Sequence, residues 1–420
     1  MSNILIKLIL IITTVFTPLT VFAEEINLTF RFNDPEHKEM RMALDEFEKA
    51  NPGVKVKLER IAWSSSRDQL LREAAIGRGP DVVHSAFVWV EEFAQSGALK
   101  PINELEQYSP FKNGFEDFVA TDLTYHDGKA YGVPWTADTW SMVYNNNVLK
   151  EAGIEIKPRT WEEVLKVSRK IKKETGKIGF SFLGGDGGSF FINYYLWSNG
   201  STIVDDDGNG GFKIGVSEKQ LIECLDYFKT YLDEGLVPKA ILSQNTSRDP
   251  NAIQPLLDDK QAMTIMPIAA VRSLVDGYRQ SYPNKQMPFE TGVTPAGSTK
   301  ALTHLGGRTL VVNSSTKHPK HAWLLLKHLI SPQILKKYYT KQMPANKSGL
   351  AFVEFAEHEK GFAKQYADHT RSWGPYARGP APIGQIRNTL GRSFGSAISG
   401  QKTSKEAAQT ILKEVSRLMK

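Results

Sequence analysis

A single cysteine, Cys224, is all that the 420-residue chain contains, which excludes an intramolecular disulfide. No cysteine stands just after the N-terminal apolar run, where a lipid anchor would be attached. Cys224 lies in an amphipathic stretch, residues 220–228, and is expected to be a small core residue rather than a reactive thiol. A long basic run is also missing. The 52 Lys and Arg against 46 Asp and Glu leave a net charge of +6 spread along the chain. That is too diffuse for a nucleic-acid surface, which gathers its cations on one face. Repeats and low-complexity segments are absent, and 41% hydrophobic with 23% charged residues excludes collagenous and disordered classes.

The one long apolar run is N-terminal. Lys7 precedes the uncharged residues 8–16, Pro18 breaks the run, and Val21-Phe22-Ala23 offers small or apolar side chains to a signal peptidase before Glu24 and Glu25. The order predicts a cleavable signal peptide over residues 1–23, with an uncleaved anchor as the alternative. The run is shorter than the ~20 residues of a spanning helix. A secreted chain with no lipid attachment is retained by an outer membrane, so a Gram-negative periplasm is the expected location.

This length favours two or more lobes over one core. Short apolar strands alternate with amphipathic helices, which predicts α/β architecture. Residues 26–32 alternate with period two, and residues 40–49 carry Met40, Ala43, Leu44 and Phe47 on one helical face. Residues 54–58 and 81–85 read as the next strands. Residues 205–210 read as a hairpin turn, and residues 404–419 as an amphipathic helix.

Catalytic and metal-binding patterns fail their own tests. Gly391-Arg392-Ser393-Phe394-Gly395 fits the nucleophile-elbow spelling, but residues 386–390 before it read as helix, not the required strand. Asp205, Asp207, Asn209 and Gly210 open like a calcium loop, yet Val216 stands where the bidentate acid belongs. The glycine-rich residues 184–188 lack the Lys and Ser/Thr of a phosphate loop and read either as a close-approach loop near a ligand or as a surface turn. His318, His321 and His328 do not fall at zinc-ligand spacing. No metal, no cofactor and no catalytic constellation is expected.

Aromatic residues carry more information. Sugars offer flat, weakly apolar faces edged with hydroxyls, which tryptophan rings and planar polar groups hold. Of the 8 Trp, Trp63, Trp135, Trp140 and Trp373 sit among polar or turn residues, whereas Trp161 and Trp323 sit in helices and read as packing.

An ordered set of segments carries a family likeness. It begins with Gly79-Pro80-Asp81-Val82-Val83, residues 89–101, and residues 127–135 running on to Met142-Val143-Tyr144-Asn145. Pro158-Arg159-Thr160-Trp161, Lys260-Gln261-Ala262-Met263, Leu305-Gly306-Gly307 and residues 321–329 follow. In these the chain resembles the carbohydrate-binding, maltose-binding-protein-like branch of the extracellular solute-binding proteins of ABC importers. The resemblance implies a two-lobe periplasmic binding protein fold, with a ligand cleft between lobes and hinge crossovers. It implies lobes of residues 24–136 with 306–343 and of residues 137–305 with 344–420. Crossings are expected in turn-rich places near residues 135–138, 303–306 and 342–347. Implied partners are a small molecule, expected to be a carbohydrate, and the importer's membrane subunits. The chain is expected to be a monomer and not an enzyme.

Site candidates follow from the resemblance and from the rule that ligands lie beyond the carboxyl ends of strands. They are Asn33, Asp34, Trp63 and Ser85 at strand ends, and Asp138 at a hinge as hydroxyl acceptor. Trp135 and Trp373 are stacking rings, Gly306 permits close approach, and Arg308 and Arg378 are donors. The chain departs from many sugar binders at Met266-Pro267-Ile268-Ala269, where a ring is expected. That keeps open a polyol, a glycerol phosphodiester or another anion as ligand, the more so if Arg308, Arg371 and Arg378 converge. A periplasmic glycan-acting enzyme and a chemoreceptor partner are the readings from other classes.

Overall fold

The computed structural model describes residues 25–34, 37–247, 249–350, 353–381 and 383–420. The predicted signal peptide, residues 1–23, lies outside the described residues. Two sheets organise the chain. The first runs Met343–Pro344, Gly132–Asp138, Thr303–Val312, Val82–Ala86, Ile26–Phe32, Val54–Arg60, with Thr370–Ser372 added to the start of Thr303–Val312. Ile26–Phe32 is parallel to both Val54–Arg60 and Val82–Ala86, while Thr303–Val312 runs antiparallel to Val82–Ala86 and Gly132–Asp138. The second sheet runs Phe289–Gly292, Trp140–Asn145, Gln261–Pro267, Ile178–Phe180.

Each sheet owns a core. Leu28, Phe30, Phe32, Trp135, Leu310 and Trp323 belong to the first, and Met142, Phe180, Phe191, Phe228, Met263 and Phe394 to the second. Burying each such side chain stabilises by roughly 1.5–3 kcal/mol relative to exposure. Helix starts are set locally. Thr160, Ser217 and Thr403 each form a reciprocal capping box with Glu163, Gln220 and Glu406, opening Trp161–Thr175, Glu218–Asp233 and Ser404–Leu418. Cys224 is buried in Glu218–Asp233. Residues 205–210 form the turn of the Val204–Asp206 and Phe212–Ile214 hairpin, where the Asp207 carboxylate accepts from the Asn209 and Gly211 amides. The G-x-S-x-G spelling lies inside the helix Ile383–Ile398, with Ser393 buried. The strand-to-helix turn that an elbow needs is therefore not there.

One expectation needs correction. Residues 135–138 and 303–306 are strand, not turn-rich, whereas residues 341–346 hold turns and bends around the short strand Met343–Pro344 as expected. Met343 and Pro344 pair with Ala137 and Thr136, which pair in turn with Gly307 and Arg308. Side by side, these three strands satisfy one another's amides through shared ladder hydrogen bonds.

Among the described residues, no helix is long and apolar enough to cross a membrane.

Candidate functional site

Around the ends of the first sheet's strands, one polar and aromatic group assembles. Asn33 follows Ile26–Phe32; its Nδ2 donates to Ser66 Oγ at 3.0 Å and to the His84 carbonyl at 2.8 Å. Trp63 opens the helix Trp63–Ala74, which Glu73 anchors through a forked pair with the buried Arg31 at 2.8 and 2.9 Å. The Trp63 ring stacks on Trp89, with centroids 4.6 Å apart, and carries the Arg308 guanidinium 4.2 Å from its centre. Asn33 Oδ1 and Arg308 Nε are buried and have no hydrogen-bond partner among the described residues. Unsatisfied buried polar atoms are rare, and an open binding site is one reason for them.

A second group gathers on the crossing strand Thr303–Val312 and the helices beside it. His304 is its centre. The ring lies 5.3 Å from Phe190, 5.3 Å from Trp373 and 6.1 Å from Trp140, centroid to centroid. The Tyr194 hydroxyl is 2.7 Å from His304 Nδ1, and Asp138 Oδ2 is 4.0 Å from Nε2. Burial, and then the cations Arg387 and Arg308, hold the His304 pKa down to about 3. The imidazole is therefore neutral. Its one ring N–H sits on Nδ1 or on Nε2, with the Tyr194 hydroxyl accepting in the first case and donating in the second. Phe190 stacks on Trp140 at 4.6 Å and carries the Arg387 guanidinium 4.1 Å from its ring centre.

Glycine is required at one point in this frame. Gly307 has φ +142, and a Cβ there would sit 1.9 Å from the Thr136 carbonyl oxygen. Only a residue without a side chain lets the crossing strands approach so closely. A Cβ on Gly306 would lie 2.8 Å from His304 Cδ2 and 3.6 Å from Trp373 Nε1, so this position keeps the space beside both rings clear.

The residues expected from the sequence fall into three sets. Asn33, Trp63 and Arg308 come together in the first group, and Asp138, Gly306 and Trp373 surround His304 in the second. Trp135, Asp34 and Ser85 lie within the first sheet's interior. Trp135 is 1% exposed, donates its indole N–H to the Leu329 carbonyl at 2.9 Å and stacks on Tyr339, so its ring is core packing, not an open face. Asp34 is buried and accepts from the Tyr339 hydroxyl, and the Ser85 hydroxyl is buried opposite Thr309. Arg378 is exposed and lies 3.8 Å from Asp206, and Arg371 lies 3.6 Å from Asp205, so both face the acidic hairpin.

Sequence reasoning missed His304, Phe190, Tyr194 and Arg387. A signal existed for three of them. Gly188–Ser198 follows the glycine-rich loop, which packs against residues 241–245 and Phe394, and is crowded with aromatic residues. Arg387 stands four residues after Ile383 and three before Leu390, a core-facing position that a cation occupies only for a reason.

Compared with known proteins, residues 34–336 match the bacterial extracellular solute-binding protein family. A binding protein of Brucella abortus (strain 2308) is 28% identical over 74% of this chain and 73% of its own length. The maltodextrin-binding protein of Bacillus subtilis (strain 168) is 24% identical over 88% of this chain and 85% of its own. Among solved structures, the GacH receptor of Streptomyces glaucescens, determined unliganded and with acarbose, is similar with a TM-score of 0.78 at 22% identity. The match covers 94% of this chain and 99% of that one.

Proposed function

The chain belongs to the bacterial extracellular solute-binding proteins, and from that premise we propose that it captures a mono- or oligosaccharide between two lobes and delivers it to the membrane subunits of an ABC importer. The lobes are residues 24–136 with 306–343 and residues 137–305 with 344–420. Asn33, Trp63 and Arg308 serve one wall. Asp138 and Gly306 serve the other, together with His304 and Phe190, while Trp373, expected as a stacking ring, is 3% exposed and packs behind them. The protein acts as a monomer in the periplasm after removal of residues 1–23, and it carries its ligand without transforming it.

The observation that carries this role is the gathering of two aromatic and polar groups around the crossing strands, which supply Asp138, His304, Gly306 and Arg308. Stacked rings beside neutral donors and acceptors suit the alternating faces and hydroxyl edges of a sugar. The named relatives add support, one being a maltodextrin-binding protein and another a receptor solved with acarbose. A ligand touching both groups favours the closed form by its differential affinity for the two states.

A thermal-shift screen of mono- and oligosaccharides tests the role. A sugar at 100 times its Kd stabilises the folded state by about 2.7 kcal/mol and raises Tm accordingly. No shift with any sugar, alongside a shift with amino acids or peptides, contradicts it.

A further inference from the structure

Of the described arginines that are not fully exposed, Arg31, Arg41, Arg67, Arg272 and Arg371 each pair with a carboxylate. Arg308 and Arg387 are half-buried and pair with none among the described residues. Each instead lies over an aromatic ring, Arg308 over Trp63 at 4.2 Å and Arg387 over Phe190 at 4.1 Å. Arg308 Nε is buried without a partner, and Arg387 Nε makes one long contact, 3.4 Å to Ser189 Oγ. Stacking fixes the plane of a guanidinium while leaving its N–H edge available, the preorganised form that receives a carboxylate or phosphate in a fork.

The two guanidiniums come from different elements, the crossing strand Thr303–Val312 and the helix Ile383–Ile398, yet both act on His304. Arg387 lies over Phe190 and 5.9 Å from the centre of the Trp373 ring, in the second group, and Arg308 lies over Trp63 in the first. The nearest carboxylate to His304 is that of Asp138, and Asp186, exposed in the glycine-rich loop, acts on Arg387 from the outer side. Neither Arg308 nor Arg387 forms an ion pair with a described carboxylate, and Arg308 Nε is buried without a partner. A half-buried guanidinium with unfilled N–H edges is costly unless a ligand meets it.

We propose that the ligand is an anionic carbohydrate, a sugar bearing a carboxylate or phosphate group, and that Arg308 and Arg387 jointly receive the charge. This refines the carbohydrate role above and rests on it. Trp63 and Phe190 present the guanidiniums to the oxyanion, and Asp138 with the neutral His304 ring takes the sugar hydroxyls.

Calorimetric titration of the full chain with matched sugars tests the assignment. Each set holds a neutral mono- or disaccharide, its uronate and its phosphate ester, with inorganic phosphate as an anion lacking a sugar. One anionic series is expected to bind at least about tenfold tighter than its neutral partner, the worth of a charge-assisted hydrogen bond. The tighter series tells a carboxylate from a phosphate ligand. That preference shrinks as salt rises. Arg308→Gln and Arg387→Gln each lower the anionic-to-neutral affinity ratio about tenfold, while Arg308→Lys and Arg387→Lys retain part of it. If a glutamine variant does not fold, the lysine variants and the salt dependence of the unaltered protein carry the test. Neutral sugars binding as tightly as their anionic partners overturn the inference and leave the carbohydrate role standing. Phosphate binding without any sugar, or a panel that gives no binding at all, overturns both.

Discussion

Trp63 and Trp373 both stood out in the sequence as rings among polar neighbours, and their surroundings now separate them. Trp63 is half-exposed, whereas Trp373 is 3% exposed and enclosed by His304, Phe190, Trp197 and Tyr376. Trp373→Ala is expected to cost about 3–5 kcal/mol of stability, the range for emptying a buried indole site. Trp63→Ala removes only ring stacking and a cation contact, about 1–2 kcal/mol, and its larger effect falls on affinity. Urea unfolding and sugar titration of the two variants check the contrast; equal stability losses contradict it. His304 gives a pH signature. Its folded pKa of about 3 lies below the 6.5 of an unperturbed histidine, so the unfolded chain takes up a proton that the folded ring refuses. The stability of the neutral ring is fully present above pH 6.5. It is lost at about 1.4 kcal/mol per pH unit as the pH falls from 6.5 toward 3. Burial also lowers His37, His321, His328 and His358, so His304→Gln flattens the profile without removing its slope. Parallel profiles for the two proteins contradict the assignment. At this scale the sequence was legible where polarity and aromaticity coincide, as at Trp63 and Arg308. Arg387 and His304 were not, since a charged or titratable residue inside an apolar pattern becomes conspicuous only when its neighbours from distant segments are in place.

The crossing strands show how far elements could be read. Period-two alternation identified Ile26–Phe32, and an amphipathic stripe identified Ser404–Leu418, because both signals are local. Residues 135–138 and 303–306 were expected as turn-rich crossings, and both belong to strands, Gly132–Asp138 and Thr303–Val312. Their strand character comes from pairing across more than 160 residues, with a register shift between Arg308 and Thr309. Gly307 is the tightest point of that pairing. Gly307→Ala forces a Cβ against the Thr136 carbonyl at a φ of +142 and is expected to destabilise by at least about 2 kcal/mol. Chemical denaturation measures it, and a loss under 0.5 kcal/mol, the usual scatter of a surface change, contradicts the close approach.

For the whole molecule, alternation of strands and helices and the ordered family segments made two α/β lobes legible, since architecture follows from patterns spread over the chain. The ligand was less legible, because the groups that select it lie on segments far apart in sequence. In the proposed role, capture depends on the lobes moving about the crossing strands so that the Trp63 and His304 groups meet one molecule. Small-angle X-ray scattering of the protein, alone and saturated with its tightest sugar, measures that motion directly. The account predicts that the radius of gyration falls on saturation in a one-to-one titration that calorimetry confirms. Stoichiometric sugar binding with an unchanged radius would contradict capture between the lobes.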